Sequence, residues 1–175
     1  MKRFVLSFSL LLVFFSAKAQ FPALSGQAEI SIITIGPGAN LYDSFGHGAI
    51  RIQDPYLSYD RVYNYGTFDS FQDGFYVKFA QGQLNYKLAI QDYKRFLGSY
   101  QAQNRWITEQ VLSLTQAEKQ QVFEFLENNA IPENSYYLYD FFYDNCATKL
   151  RDVVRDVLGD KLKFNNDHLT EEKTF

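Results

Sequence analysis

Two residues far apart along the chain have side chains suited to nucleophilic chemistry: Cys146, its only cysteine, and His47, one of its two histidines. Cys146 opens an amphipathic helical pattern in Asp144-Asn145-Cys146-Ala147-Thr148-Lys149-Leu150-Arg151-Asp152. His47 opens a strand-like run in Phe45-Gly46-His47-Gly48-Ala49-Ile50-Arg51-Ile52. A thiol attacks as thiolate and an imidazole beside it can take its proton, so the pair is the minimum apparatus for acyl transfer through a thioester. In the first turn of a helix, unpaired backbone N–H groups and the dipole favour negative charge by about 1 kcal/mol, less than one pKa unit. Most of the activation is therefore expected from an imidazolium in contact with the thiolate. Asp144 opposes it as a nearby negative charge and is expected to point away as a helix cap. Blander readings stand beside this one: a buried inert thiol or an intermolecular disulfide for Cys146, and a loop-capping polar residue for His47. Gly46 and Gly48 flank the histidine and favour close approach of another backbone or a substrate.

The elements that must bring the two together follow from periodicity and punctuation. Residues 29–35, Glu-Ile-Ser-Ile-Ile-Thr-Ile, read as a buried strand stopped by Gly36-Pro37-Gly38. That triplet lacks the lysine and the following helix of a phosphate loop and reads as a turn. The His47 strand runs to about Gln53 before Asp54-Pro55, and Arg61 to Gly66 alternates as a second strand, the two forming an antiparallel hairpin. Phe71 to Gln81 reads as a short helix, Leu84 to Ile90 as a strand, Asp92 to Tyr100 as a helix and Arg105 to Leu114 as a strand. A helix starts at Thr115, where Thr-Gln-Ala-Glu matches a capping box through Glu118, and ends near Asn128-Asn129 ahead of Pro132. In the last helix Ala147, Leu150, Val153, Val154, Val157 and Leu158 form one apolar stripe, Gly159 ends it, and Asn145 or Asp144 is the N-cap. The run Tyr136 to Tyr143 holds six aromatics, fit either to line an apolar groove or to pack behind the catalytic helix. His168 lies in a polar tail and is given no role.

Lys2 and Arg3, the apolar stretch Phe4 to Phe15, and Ser16-Ala17-Lys18-Ala19-Gln20 read as a secretory signal peptide cleaved after Ala19, so residues 1–19 are set apart from a single domain over 20–175. Cleavage removes Lys2, Arg3 and Lys18, taking 17 basic residues down to 14 against 20 acidic ones, a net charge of −6 that excludes a nucleic-acid binder. Export implies an oxidising compartment in which structural cysteines pair, and Cys146 has no partner within the chain. Two histidines and one cysteine give no metal-ligand cluster, and no cofactor is expected.

Three stretches carry a family resemblance: Tyr42-Asp43-Ser44-Phe45-Gly46-His47, Val62-Tyr63-Asn64-Tyr65-Gly66-Thr67-Phe68-Asp69 and Tyr139-Asp140-Phe141-Phe142-Tyr143-Asp144-Asn145-Cys146-Ala147-Thr148. Together they resemble the periplasmic domain of the lipoprotein N-acyltransferases called Lnb, over roughly Ile30 to Leu158, and more distantly the lecithin–retinol acyltransferase group. The order of histidine before cysteine, strand before helix, is papain-like chemistry in a circularly permuted chain. The resemblance implies an α+β fold, a circularly permuted papain-like arrangement with an antiparallel sheet packed against helices and the nucleophile at a helix N-terminus. It implies transfer of an acyl chain from a phospholipid to the cysteine and then to the α-amino group of a lipoprotein. Cys146 is then the nucleophile, His47 the general base and later acid, and the Cys146 backbone N–H part of an oxyanion hole. Asn64 is the residue expected to orient His47, with Thr67 or Asp69 as alternatives because hairpin register is not legible in the sequence. The expected partners are a phospholipid donor, a lipoprotein acceptor and a membrane surface or membrane-embedded domain, at the outer face of the inner membrane. Acyltransferases of this type carry a membrane-embedded part after the periplasmic domain, so the chain is expected to be a fragment or a shorter relative. Two other readings stay open: an NlpC-type cell-wall peptidase or amidase using the same Cys and His, and a non-catalytic envelope binding module.

Overall fold

The computed structural model describes residues 21–68 and 73–163. The signal-peptide stretch, Asp69, Phe71 and His168 lie outside the described residues. Six strands, β1 (Glu29–Ile35), β2 (His47–Asp54), β3 (Tyr59–Thr67), β4 (Asn85–Asp92), β5 (Ile107–Val111) and β6 (Tyr136–Leu138), form one sheet in the order β5-β1-β2-β3-β4-β6. All five neighbouring pairs are antiparallel. Among the described residues four helices accompany them: α1 (Phe75–Ala80), α2 (Tyr93–Gln101), α3 (Gln116–Ala130) and α4 (Cys146–Leu158). The fold is therefore α+β, with an antiparallel sheet packed against helices.

The near-continuous apolar character of β1 follows from where the strand lies. Antiparallel strands alternate apolar and polar residues when one face meets water, but the middle of this sheet is covered on both sides. Ile30, Ile50, Ile52 and Tyr63 pack with Val122, Phe123 and Leu126 of α3 and with Leu150 and Val153 of α4. On the opposite face Ile33, Ile35, Ala49 and Val62 pack with Phe96 of α2. A third cluster of Phe75, Leu84 and Tyr86, joined by Phe68, Tyr137 and Tyr139, closes the β4–β6 end.

Local chemistry sets the helix boundaries. At α3, Thr115 Oγ1 accepts from the Glu118 N–H at 3.4 Å and Glu118 Oε2 accepts from the Thr115 N–H at 2.8 Å, a reciprocal capping box. At α4 the cap is Asn145, whose Oδ1 accepts from the N–H groups of Ala147 and Thr148 at 3.0 and 3.1 Å. Asp144 instead pairs with Lys149 at 2.8 Å, which sets its charge against a cation. Gly159 ends α4 at φ 54, a conformation that favours glycine.

Among the differences from expectation, three stand out. The helix sought over Phe71 to Gln81 begins only after Gly74, and the strand sought over Arg105 to Leu114 is confined to Ile107–Val111, with Arg105 outside it. Part of the aromatic run is the edge strand β6, whose Tyr136, Tyr137 and Leu138 pair with Lys87, Tyr86 and Asn85. Three residues are too few for alternation to stand out among aromatics.

Gly48 decides how closely α4 lies on the sheet. A Cβ built there would stand 2.7 Å from Leu150 Cδ1, closer than side chains tolerate. Gly48→Val is expected to destabilise the fold by roughly 1–3 kcal/mol through overpacking. At the exposed, uncrowded Gly98 within α2, an alanine is expected to add roughly 0.5–1 kcal/mol by its better helix propensity. Urea denaturation of both variants checks the opposite signs.

Candidate active site

The alternation of a strand places His47 on the β2 face that carries Ala49, and Asn64 on the β3 face that carries Val62; Ala49 and Val62 share one core cluster. The two polar side chains consequently meet, with His47 Nε2 2.6 Å from Asn64 Oδ1. Asn64 Nδ2 donates to Gln91 Oε1 of β4 at 3.4 Å, so the amide presents its oxygen to the ring. A carbonyl oxygen only accepts, hence Nε2 carries the proton and Nδ1 keeps its lone pair. Of the alternatives to Asn64, Thr67 donates to the Asn64 carbonyl at 3.4 Å, and Asp69 lies outside the described residues.

Cys146 reaches the same place from the other layer. Gly66 of β3 has φ 94, and a Cβ built on it would stand 3.4 Å from His47 Cε1 and 3.7 Å from Cys146 Cβ. Imidazole and thiol-bearing carbon therefore face one point from two sides, and Gly66 keeps that point free of a side chain. The β2–β3 ladder ends at the Ile50–Tyr63 pair, so the end of β2 with His47 and Gly48 lies beyond the pairing with β3. There the backbone N–H groups of Gly48, Ala147 and Cys146 itself lie close enough to favour a charged sulfur. Cys146, His47 and Asn64 thus stand together, on α4, β2 and β3.

Burial dominates the electrostatics of the pair. It raises the Cys146 thiol above its ordinary value, and the three backbone N–H groups only partly offset the rise. Although His47 keeps some surface open to solvent, desolvation is also the largest influence on its ring. It lowers the imidazole below 6.5; the bond to Asn64 opposes this and the charge of Arg105 adds to it. Both shifts favour the uncharged form. Both directions weigh against the thiolate–imidazolium contact expected from the sequence.

Aromatic residues surround this centre. The charge of a Cys146 thiolate is felt at Tyr86, Tyr100, Tyr137 and Tyr139, whose phenols are all pushed up, first by burial, Tyr139 to about 12. The loop before His47 and the turn before Cys146 meet through Phe45 and Phe141, with ring centroids 5.0 Å apart. Phe45 is 76% exposed and Phe142 58%. The turn is stiff: Asp140 Oδ1 accepts from the N–H groups of Phe142 and Tyr143 at 2.8 Å each, and the Asp140 and Asp144 backbones exchange hydrogen bonds.

The family model of the Lnb N-terminal periplasmic domain matches residues 23–172. The chain belongs to this family. Among curated proteins and among solved structures, nothing matches it. Membership of the Lnb N-terminal domain family gives a periplasmic location. Among the described residues, no helix is long and apolar enough to cross a membrane.

Sequence reasoning missed several residues of this Lnb-type site. Gln91 orients Asn64, Gly66 clears the meeting point, Tyr100 lies along the imidazole with ring centroids 6.2 Å apart, and Arg105 sits behind them. A signal existed for Gly66, a glycine inside an alternating strand pattern, which marks a bulge or a close approach. The β3–β4 register indeed shifts between Asn64 and Thr67.

The raised thiol has a measurable consequence. With the thiol raised above 9.0, alkylation of Cys146 by iodoacetamide should be slow near pH 7 and climb only above the range of a free cysteine. Mass spectrometry of the alkylated chain from pH 5 to 10 reads the midpoint. A plateau of fast reaction at neutral pH would show the ion pair instead.

Proposed function

We propose that this domain is a thiol-dependent acyltransferase that moves an acyl chain from a phospholipid, through a thioester on Cys146, to the N-terminal amine of lipoproteins. The observation that carries the reading is the shared contact point at Gly66, with the imidazole Nε2 engaged by Asn64. Family membership and the exposed aromatic surface beside the pair favour an apolar acyl substrate over a peptide of the cell wall. The order of His47 before Cys146, on a strand and at a helix start, supports reading the fold as a circularly permuted papain-like one. A periplasmic domain working on phospholipid would act at the outer face of the inner membrane, docked to the bilayer or to a membrane-embedded domain.

The chemistry follows from the tautomer. As the sulfur attacks the ester carbonyl, Nδ1 of His47 takes the S–H proton, and negative charge develops on the carbonyl oxygen near the start of α4. The Cys146 N–H at the helix end would stabilise that oxygen. Collapse breaks the carbon–oxygen bond, Nδ1 returns its proton to the leaving alcohol, and the lysophospholipid departs. The lipoprotein amine then attacks the thioester and Nδ1 accepts its proton. The carbon–sulfur bond breaks and the thiol is re-formed. Starting from neutral partners, each half-reaction ends with the pair neutral again.

Purified protein incubated with phospholipid vesicles should gain one acyl-chain mass on Cys146, removed by hydroxylamine and absent in Cys146→Ala. His47→Ala should slow its formation by about 10²–10⁴-fold, and Asn64→Ala by on the order of 10²-fold through misplacement of the ring. Wild type and Cys146→Ala giving the same spectrum would exclude the reaction. Peptide release from sacculi without acyl mass would mark the hydrolase reading as the correct one.

A further inference from the structure

Behind His47 lies a buried cation. Arg105 stands before β5 with its side chain only 4% exposed. Its Nε–H donates to the Gly36 carbonyl at 2.7 Å, just past the end of β1. Nη1 donates to Gln103 Oε1 at 3.3 Å, and Nη2 is buried with no hydrogen-bond partner among the described residues. The guanidinium carbon lies 4.9 Å from the centroid of the Tyr100 ring, and the same ring stacks along His47 with 30° between the planes. Arg105 thereby gathers the end of β1, the last turn of α2 and, through Asp43, the 3-10 turn Leu41–Asp43 that precedes His47.

The charge of Arg105 is only partly compensated. Asp43 Oδ2 lies 3.7 Å from Nη1, beyond hydrogen-bond range, and its carboxylate already accepts from the Asn40 N–H at 2.8 Å and from Asn40 Nδ2 at 3.2 Å. A buried cation of this kind acts over several ångströms because little solvent screens it. The groups facing the imidazole are Asn64 from β3, Cys146 from α4, Tyr100 from α2 and Arg105 from the approach to β5, with Asp43 behind Arg105. Burial holds Cys146 and Tyr100 in their protonated, uncharged forms, so Arg105 is the charge that His47 senses at neutral pH.

We propose that Arg105 is a positioning residue for His47, holding the ring through Tyr100 and keeping the imidazole unprotonated by its charge. The inference rests on reading His47 as the base of the proposed reaction. Its effect is to keep that base available in acidified surroundings, where an ordinary histidine would already carry a second proton. The direction agrees with the lowering of His47 to which Arg105 contributes.

The test is an NMR titration of the imidazole in the full chain, whose two histidines are separated by a His168→Gln control. Arg105→Gln should move the His47 midpoint up, and Arg105→Lys, which keeps a charge, should return it toward wild type. Asp43→Asn should move it down, since removing the opposing carboxylate exposes more of the Arg105 charge. General loosening of the site would shift the Arg105→Gln and Asp43→Asn midpoints the same way, toward an ordinary histidine. An unchanged midpoint in a folded Arg105→Gln, or an upward shift in Asp43→Asn, overturns the proposal. Should Arg105→Gln fail to fold, Arg105→Met, which fills the same buried space without a charge, takes its place, with the same upward shift expected and an unchanged midpoint overturning the proposal. The titration needs no substrate, so a wild type that forms no thioester would refute the acyl-transfer reading while leaving this one intact. Where thioester forms, the acid limb of its rate should move in step with the NMR midpoint.

Discussion

The site depends on how α4 seats on β2. Cys146 and Leu150 are four residues apart and share one face of the helix, so whatever fixes Leu150 fixes the sulfur one turn earlier. Leu150 is fixed by the absence of a side chain at Gly48, where its methyl group occupies the space a Cβ would need. Val153 and Val154, buried on the same apolar stripe, hold the rest of the helix down. The seat also brings the Gly48 backbone near the sulfur, so one glycine bears on both the height of the helix and the surroundings of the thiol. Packing and chemistry here are a single constraint.

That seat explains the charge state as well. A helix N-terminus contributes about 0.3–1 kcal/mol toward an anion, more where partly buried. Burial of the thiol disfavours the thiolate more than the nearby backbone N–H groups favour it, and the thiol is raised. The same enclosure disfavours the imidazolium. A protonated thiol exchanges slowly with disulfides, because the thiolate is the reactive species. A free cysteine in the periplasm is more durable in this state than as part of a standing ion pair, and in the proposed reaction the base would have to move a proton during attack.

Much of this was legible in the sequence. The β1 run, the β2–β3 hairpin, the capping box at Thr115 and the apolar stripe of α4 each carry a local signal strong enough to survive tertiary context, and each element stands where the pattern put it. Asn64 was legible as a polar residue on the strand beside the histidine strand. The charge state was not, because propensity and motif describe neighbours in sequence while desolvation depends on which layers close over a group. Arg105 was illegible for a related reason: its partners Gly36, Asp43 and Tyr100 come from three separate segments, and only the closed sheet gathers them. The edge strand β6 failed differently, being too short for alternation and masked by aromatics on both faces.

The aromatic surface is joined mechanically to the helix end that carries Cys146. Asn145, the cap of α4, donates from Nδ2 to the Phe141 carbonyl at 2.8 Å while its Oδ1 holds the first N–H groups of the helix. One amide therefore links the turn that displays Phe141, Phe142 and Tyr143 to the helix end that carries Cys146. Phe141 also leans on Phe45, two residues before His47, so the same ring touches the segments leading to both Cys146 and His47. In the proposed reaction an acyl chain lying on these rings would press on the two segments whose relative position sets the sulfur–imidazole approach. Substrate contact and alignment of the pair would then be coupled through residues already hydrogen-bonded in the free protein, so binding would tighten an existing arrangement instead of building a new one.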